Sequence, residues 1–72
     1  MNGFELKNRL KEARAELGLT QTELALRVGV SRKTINTVEN GIFTPSTTLA
    51  LALAAVFERP VEALFYLAPG VV

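Results

Sequence analysis

The stretch from residue 20 to residue 41, TQTELALRVGVSRKTINTVENG, decides the fold of this chain. It predicts two short amphipathic helices joined by a tight turn. Thr20 and Glu23 have the spacing of a capping box, in which each side chain accepts a hydrogen bond from a backbone amide at the start of a helix. Gly29 ends that helix, and Ser31 is a favourable N-cap for the next one. The pattern is typical of a helix-turn-helix motif.

The second of these helices has two chemically different sides. With about 100° of rotation per residue, Ile35 and Val38 fall on one side, and the other side collects four polar residues, Arg32, Lys33, Asn36 and Thr37. Arg and Lys suit guanine edges or phosphates, Asn can bind adenine through two hydrogen bonds, and Thr can contact a thymine methyl group. Taken alone, such a helix more often presents an ordinary solvated face. The capped helix and glycine turn before it favour contact with the major groove of DNA instead.

Three further polar residues are candidates for positioning the motif on DNA. Gln21, in the first turn of the first motif helix, could hold a phosphate together with the free backbone amides there. Asn40 could donate a hydrogen bond to a phosphate from the end of the second helix, and Ser31 lies at its beginning. The alternatives are structural: Gln21 as an ordinary polar residue beside a cap, and Asn40 as a residue suited to a turn.

The rest of the chain predicts three more helices and no strand. Apolar residues at helical spacing predict helix 1 over residues 4–17, ended by Gly18. An almost wholly apolar helix follows at residues 46–57, and a short last helix runs from residue 61 to about residue 67. No alternating strand pattern is convincing. We therefore expect an all-α fold of five helices that forms one domain over residues 1–72.

Composition argues against several classes of protein. The chain has 72 residues, no Cys and no His, which removes the commonest metal ligands and general base. The seven acidic residues and one Tyr show no paired-carboxylate or nucleophile–base spacing, so we expect no enzyme, no cofactor and no small-molecule site. No transmembrane run or signal peptide is evident, which predicts a cytoplasmic protein. The net charge of +1 does not by itself indicate a nucleic-acid partner.

The C-terminal third, residues 46–72, is more apolar than so short a chain can readily bury. We expect it to form a homodimer interface. The residues predicted to contribute are Leu51, Val61, Phe65, Tyr66, Leu67, Val71 and Val72. The alternative is a closed core supplemented by alanines that favour helix formation.

Three segments together resemble the Cro and phage-repressor (XRE-like) family: LTQTELA, GVSRKTIN and ENG at their observed spacing. The resemblance extends over nearly the whole chain. It implies a lambda-repressor-like fold of five helices in a small prokaryotic regulator of transcription. It also implies a repressor that binds a palindromic operator in double-stranded DNA as a homodimer. An antitoxin-type protein that binds both DNA and a partner protein is the alternative.

The family pattern also assigns roles to individual residues. Arg32, Lys33 and Thr37 match the positions that read bases, and Asn36 lies between them. Gln21 and Asn40 match positions that contact the DNA backbone. The resemblance further implies a partly buried salt bridge between helix 1 and helix 3, formed by Arg14 and Glu39.

Overall fold

A computed structural model describes residues 3–69 as five helices and two strands. The strands belong to one antiparallel sheet and come from opposite ends of the described chain. In chain order the elements are β1 (Phe4–Asn8), α1 (Leu10–Glu16), α2 (Gln21–Val28), α3 (Arg32–Glu39), α4 (Thr47–Phe57), α5 (Val61–Leu64) and β2 (Phe65–Pro69). The longest helix among residues 3–69 is α4 with 11 residues, and none of the helices there could span a bilayer.

The expectation of an all-α fold is wrong. The segment predicted to begin helix 1 is β1, and the segment predicted to end the last helix is β2. The register pairs Phe4 with Pro69, Leu6 with Leu67 and Asn8 with Phe65. Phe65-Tyr66-Leu67 has good strand propensity, but a short strand needs a partner to be stable. That partner lies at the other end of the sequence, where a local pattern cannot reveal it.

Asn8 is the last residue of β1 and lies within the helix that the sequence predicted over residues 4–17. Its side-chain Oδ1 accepts a hydrogen bond from the Leu10 amide at 3.1 Å, and its Nδ2 donates to the Val38 carbonyl at 3.0 Å. Asn is more favourable at such a boundary than inside a helix, because its side chain bonds to nearby backbone groups. Asn8 therefore supports the first residue of α1 and also attaches β1 to the end of α3.

The predicted helix starts around the motif are confirmed. The Thr20 hydroxyl accepts from the Glu23 amide at 3.0 Å, and the Glu23 carboxylate accepts from the Thr20 amide at 2.9 Å. Hydrogen bonding of the Glu23 carboxylate to Thr20, first to its backbone amide and then to its side chain, lowers the pKa of Glu23. Ser31 caps α3 by accepting from the Thr34 amide. In each motif helix, the side chain of the N-cap residue thus accepts a hydrogen bond from one backbone amide of the first turn.

One apolar cluster joins all five helices and the first residue of β2. Its members with essentially no exposed surface are Leu10, Leu24, Ile35, Val38, Leu53 and Leu64. Each such side chain stabilises the fold by roughly 1.5–3 kcal/mol relative to an exposed one. Because Ile35 and Val38 belong to this cluster, the core fixes how α3 is rotated about its axis.

Candidate nucleic-acid interface

The turn between α2 and α3 depends on Gly29. This residue has φ 76° and ψ 33°, in the left-handed region that favours glycine. Its amide and that of Val30 both donate to the carbonyl of Ala25, at 2.9 and 3.0 Å. A Cβ atom at Gly29 would find nothing within 4 Å, so glycine is needed for its backbone conformation and not for space. The turn directs α3 away from the end of α2.

The outer side of α3 carries the two cations that the sequence analysis selected. Arg32 and Lys33 are exposed, whereas Ile35 and Val38 on the opposite side are buried. Neither cation has an acidic partner within salt-bridge distance among residues 3–69. Both are therefore available to an external anion. They are the first two residues of α3 and lie at the N-terminal end of its exposed face.

Asn36 and Thr37 lie in the next turn and are half-buried. The Thr37 hydroxyl is directed back into its own helix, where it lies 3.0 Å from the carbonyl oxygens of both Lys33 and Thr34. With its hydroxyl hydrogen used in this way, Thr37 has a methyl group and oxygen lone pairs left for a ligand. This geometry favours apolar contact over hydrogen-bond donation at this position.

Arg14 and Glu39 connect α1 to the last residue of α3. Arg14 Nε lies 2.7 Å from Glu39 Oε2, and Nη2 lies 3.2 Å from Oε1. A third hydrogen bond runs from Arg14 Nη1 to the carbonyl of Leu19 at 2.9 Å. The Glu39 carboxylate raises the pKa of Arg14, chiefly through the side-chain hydrogen bond. Because Arg14 compensates its charge, Glu39 adds little negative potential beside Arg32 and Lys33.

The same carboxylate also holds Gln21, a connection that sequence reasoning missed. Gln21 Nε2 donates to Glu39 Oε1 at 3.1 Å, and Gln21 Oε1 receives a weaker contact from Asn36 Nδ2 at 3.5 Å. These contacts exist because α2 packs on α3. No sequence spacing indicates them. They orient two amides that the sequence analysis had assigned separately, Gln21 to phosphate and Asn36 to bases.

The remaining candidates lie at the two ends of α3. Asn40 is exposed, and its Nδ2 donates to the Asn36 carbonyl at 2.9 Å, which leaves its Oδ1 and its second N–H for a ligand. Ser31 is exposed, but its hydroxyl is engaged by the Thr34 amide and by the Thr34 hydroxyl. Of the two, Asn40 has more hydrogen-bonding capacity free for a phosphate.

The residues predicted to form a dimer interface are distributed unevenly. Leu51 and Leu67 are exposed, Tyr66 is partly covered by the Arg9 guanidinium at 4.1 Å from its ring centre, and Val61 packs against the core. Phe65 is buried within its own chain. Val71 and Val72 lie outside the described residues.

The region of this chain that matches a known protein family coincides with its five helices. A sequence profile described as helix-turn-helix matches residues 10–64, from the first residue of α1 to the last residue of α5. The chain belongs to the helix-turn-helix family. The resemblance predicted from the motifs is thereby confirmed. Both strands lie outside the region that the profile matches.

Relatives of this helix-turn-helix protein include regulators from archaea and bacteria. An uncharacterized HTH-type transcriptional regulator of Archaeoglobus fulgidus is 47% identical over 60 residues, covering 83% of this chain and 86% of the relative. The solved structure of the SOS-response transcriptional repressor LexA from Eubacterium rectale has a TM-score of 0.71 and 35% identity, and the match covers 75% of this chain and 57% of that one. The restriction-modification controller protein C.AhdI from Aeromonas hydrophila gives a TM-score of 0.72 and 33% identity, covering 76% and 83%.

Proposed function

We propose that this helix-turn-helix regulator binds double-stranded DNA in a sequence-specific manner, with α3 in the major groove. The observation that carries the proposal is the orientation of α3. Burial of Ile35 and Val38 leaves Arg32 and Lys33 exposed on the opposite side without acidic partners among the described residues. A capped helix with this arrangement behind a left-handed glycine turn has the geometry that major-groove recognition requires.

The four polar residues of α3 divide the work of base reading. Arg32 and Lys33 suit the acceptor edge of guanine or a neighbouring phosphate. Asn36 keeps an amide N–H and its carbonyl oxygen for an adenine edge even when its other N–H is directed at Gln21. Thr37 contacts a thymine methyl group with its own methyl group, because its hydroxyl hydrogen is used within the helix. The preferred half-site therefore contains at least one thymine whose recognition is apolar.

Gln21, Ser31 and Asn40 position the motif on the DNA backbone. Gln21 is held by Glu39 at one N–H and keeps the other for a phosphate oxygen. Asn40 uses its free amide groups in the same way from the end of α3, and Ser31 lies at the beginning of that helix. Because phosphates are identical along DNA, these contacts set orientation and affinity but not sequence preference.

We further infer that the protein is a repressor that binds a palindromic operator as a homodimer. A two-fold dimer presents two copies of α3 to successive major grooves, about 34 Å apart. The structural similarity to a transcriptional repressor supports this role. Occupation of a promoter by such a dimer would block access, and this activity places the protein in the cytoplasm, on the chromosome.

Selection of bound sequences from a random DNA pool tests the proposal. Arg32→Ala and Lys33→Ala should each weaken binding to the selected sequence by roughly 1–3 kcal/mol where the residue reads a base, and should relax the preference at that position. Arg59→Ala is the matched control, since it removes one positive charge from a residue that is paired with Glu16. If both α3 variants keep the affinity and sequence preference of the control, α3 is not the reading helix.

Thr37 allows a sharper test of how a base is read. Thr37→Val keeps a methyl group and removes the hydroxyl, so we expect it to retain the thymine preference. Thr37→Ser keeps the hydroxyl and removes the methyl group, so it should lose that preference. The opposite result would show that the hydroxyl, and not the methyl group, contacts the base. Gln21→Ala should weaken binding to selected and unselected DNA about equally.

A further inference from the structure

The two strands form an arm whose contacts are mainly with each other and with α5, the helix that leads into β2. Only its inner end joins the core, through Phe65. Further out, Phe4, Leu6 and Leu67 are exposed, and these three share one face of the sheet with Phe65. A two-stranded sheet with an exposed apolar face is marginally stable alone, so this arm has reason to acquire more strands.

The hydrogen-bond pattern shows which backbone groups of β1 are unused by β2. The Arg9 amide donates to the Leu64 carbonyl at 2.8 Å, and this pair continues the register of the sheet. Since directly bonded pairs alternate along antiparallel strands, Glu5 and Lys7 also exchange bonds with β2. The N–H and C=O groups of Phe4, Leu6 and Asn8 therefore point away from β2, toward the open edge of β1.

The edge of β1 is open to a new strand, and the edge of β2 is not. A groove of about 350 Å³ is lined by residues 5–8 of β1, by residues 39–41 at the end of α3 and by Tyr66 of β2. On β2, the outward-pointing groups belong to the residues that do not exchange bonds with β1, and one of these is Pro69. Proline has no N–H, so it interrupts pairing along that edge. A partner strand thus fits β1.

We propose that two copies of this protein dimerise by antiparallel pairing of their β1 edges, centred on Leu6. This inference rests on the homodimer of the proposed function and assigns its interface. A two-fold axis at Leu6 pairs Leu6 with Leu6 of the partner subunit, using the open N–H and C=O groups of both. It also places Glu5 directly opposite Lys7 of the partner subunit, twice. The result is a continuous four-stranded sheet.

The charges on β1 favour this register over the two neighbouring two-fold registers, which are centred on Glu5 and on Lys7. Centring the pair on Glu5 would oppose Glu5 to its own copy, and centring it on Lys7 would oppose two lysines. Directly opposed like charges destabilise a strand pair, whereas opposite charges stabilise it. On the other face, the Leu6-centred register aligns Leu67, Leu6 and their counterparts in one apolar row across the sheet. The apolar face is therefore compatible with the register that the charges favour.

Strand pairing at this edge would also affect α3. The groove beside β1 is bounded by residues 39–41 at the end of α3, and Asn8 is bonded to the Val38 carbonyl. A partner strand in this position would fix the two copies of α3 relative to each other. Dimer geometry and operator spacing would then be set by the same short segment.

Charge reversal tests the register on the full chain without DNA. By sedimentation equilibrium, Glu5→Lys and Lys7→Glu should each raise the dimer dissociation constant about tenfold or more, since each creates two opposed like-charge pairs. An equimolar mixture of the two variants should instead form heterodimers about as tightly as the unmodified chain dimerises, because every opposed pair is then complementary. In the mixture, residues 5 and 7 of each chain still carry like charges within one strand. Recovery of the dimer affinity therefore reports pairing between chains and not within one chain. Unmodified chain that stays monomeric at tens of micromolar, or a mixture with no preference for heterodimers, overturns the proposal.

A proline pair tests which edge is used. Leu6→Pro removes an outward N–H of β1 without removing a bond to β2 and should abolish dimerisation, whereas Leu67→Pro does the same on β2 and should not. Circular dichroism establishes that both variants are folded; the charge-reversal mixture decides the matter if they are not. Binding of each variant to a single DNA half-site separates the two ideas. A monomeric variant that still binds a half-site would show that α3 binds DNA independently of dimerisation. A variant that dimerises but binds no DNA would refute DNA binding by α3 and leave the dimer interface unaffected.

Discussion

Replacing Glu39 by alanine measures how strongly α1 and α3 are held together by charge. The Glu39 side chain is 3% exposed and that of Arg14 is 16% exposed, so both charges are largely removed from water. Removal of Glu39 leaves the guanidinium with only the Leu19 carbonyl as a protein partner, and deprives the Gln21 amide of its acceptor. Removing one member of a buried pair costs about 3–5 kcal/mol. Because one edge of Arg14 can regain water, we expect about 3 kcal/mol.

Urea denaturation followed by circular dichroism gives the free energy of unfolding of each variant. A chain of 72 residues is expected to have a total stability of roughly 4–11 kcal/mol, so this loss would be large. The melting temperature should fall by about 4–8 °C for each kcal/mol lost. Glu39→Gln keeps the volume and one acceptor oxygen, and should cost less than the alanine variant.

A double-mutant cycle with Arg14→Ala separates the pair from other effects of each change. We expect a coupling energy between about 1 and 3 kcal/mol, within the range seen for residues in direct contact. Glu16→Ala is the control, because its pair with Arg59 is solvent-exposed and should contribute no more than about 1 kcal/mol. Additive effects of Arg14→Ala and Glu39→Ala, with Glu39→Ala costing less stability than Glu16→Ala, would refute the argument.

Four further changes test the motif itself, each by the free energy of unfolding. Ile35→Ala should cost about 2–5 kcal/mol, because its side chain is fully buried; a cost below 1 kcal/mol would mean that α3 is not anchored there. Gly29→Ala should cost about 1–2 kcal/mol, because alanine is strained in the left-handed backbone conformation. Gly3→Ala is its control, since a Cβ atom has open space at both positions and Gly3 lacks that conformation. Thr20→Ala should cost about 0.5–2 kcal/mol through the lost N-cap, and Thr22→Ala, at an exposed position beyond the cap, should not. Folding lowers the pKa of Glu23. The carboxylate therefore contributes to the free energy of unfolding at a pH above its unfolded pKa of about 4.3, and this contribution is lost as the pH falls through its folded pKa. Glu23→Gln should therefore reduce the pH dependence of stability in this acidic range, and an unchanged dependence would show that the carboxylate is not held by the cap.

The motif could be predicted from the sequence because its signals are local. A cap, a glycine turn and the spacing of Ile35 and Val38 all act within one or two helical turns, so residues 20–41 specify their own helices. Core burial then determines which side of α3 faces outward. The same reasoning selected Arg32 and Lys33 as the exposed cations, and the structure places them on that side.

Tertiary structure alone decided the sheet and the contacts of the amide side chains. β1 and β2 stabilise one another across the whole length of the described chain, and each segment by itself has a spacing that also suits a helix. Gln21, Asn36 and Glu39 meet because α2 packs on α3, and no interval along the sequence encodes that meeting. Helices are determined by neighbours along the chain, whereas strand pairing and side-chain networks depend on groups that only folding brings together.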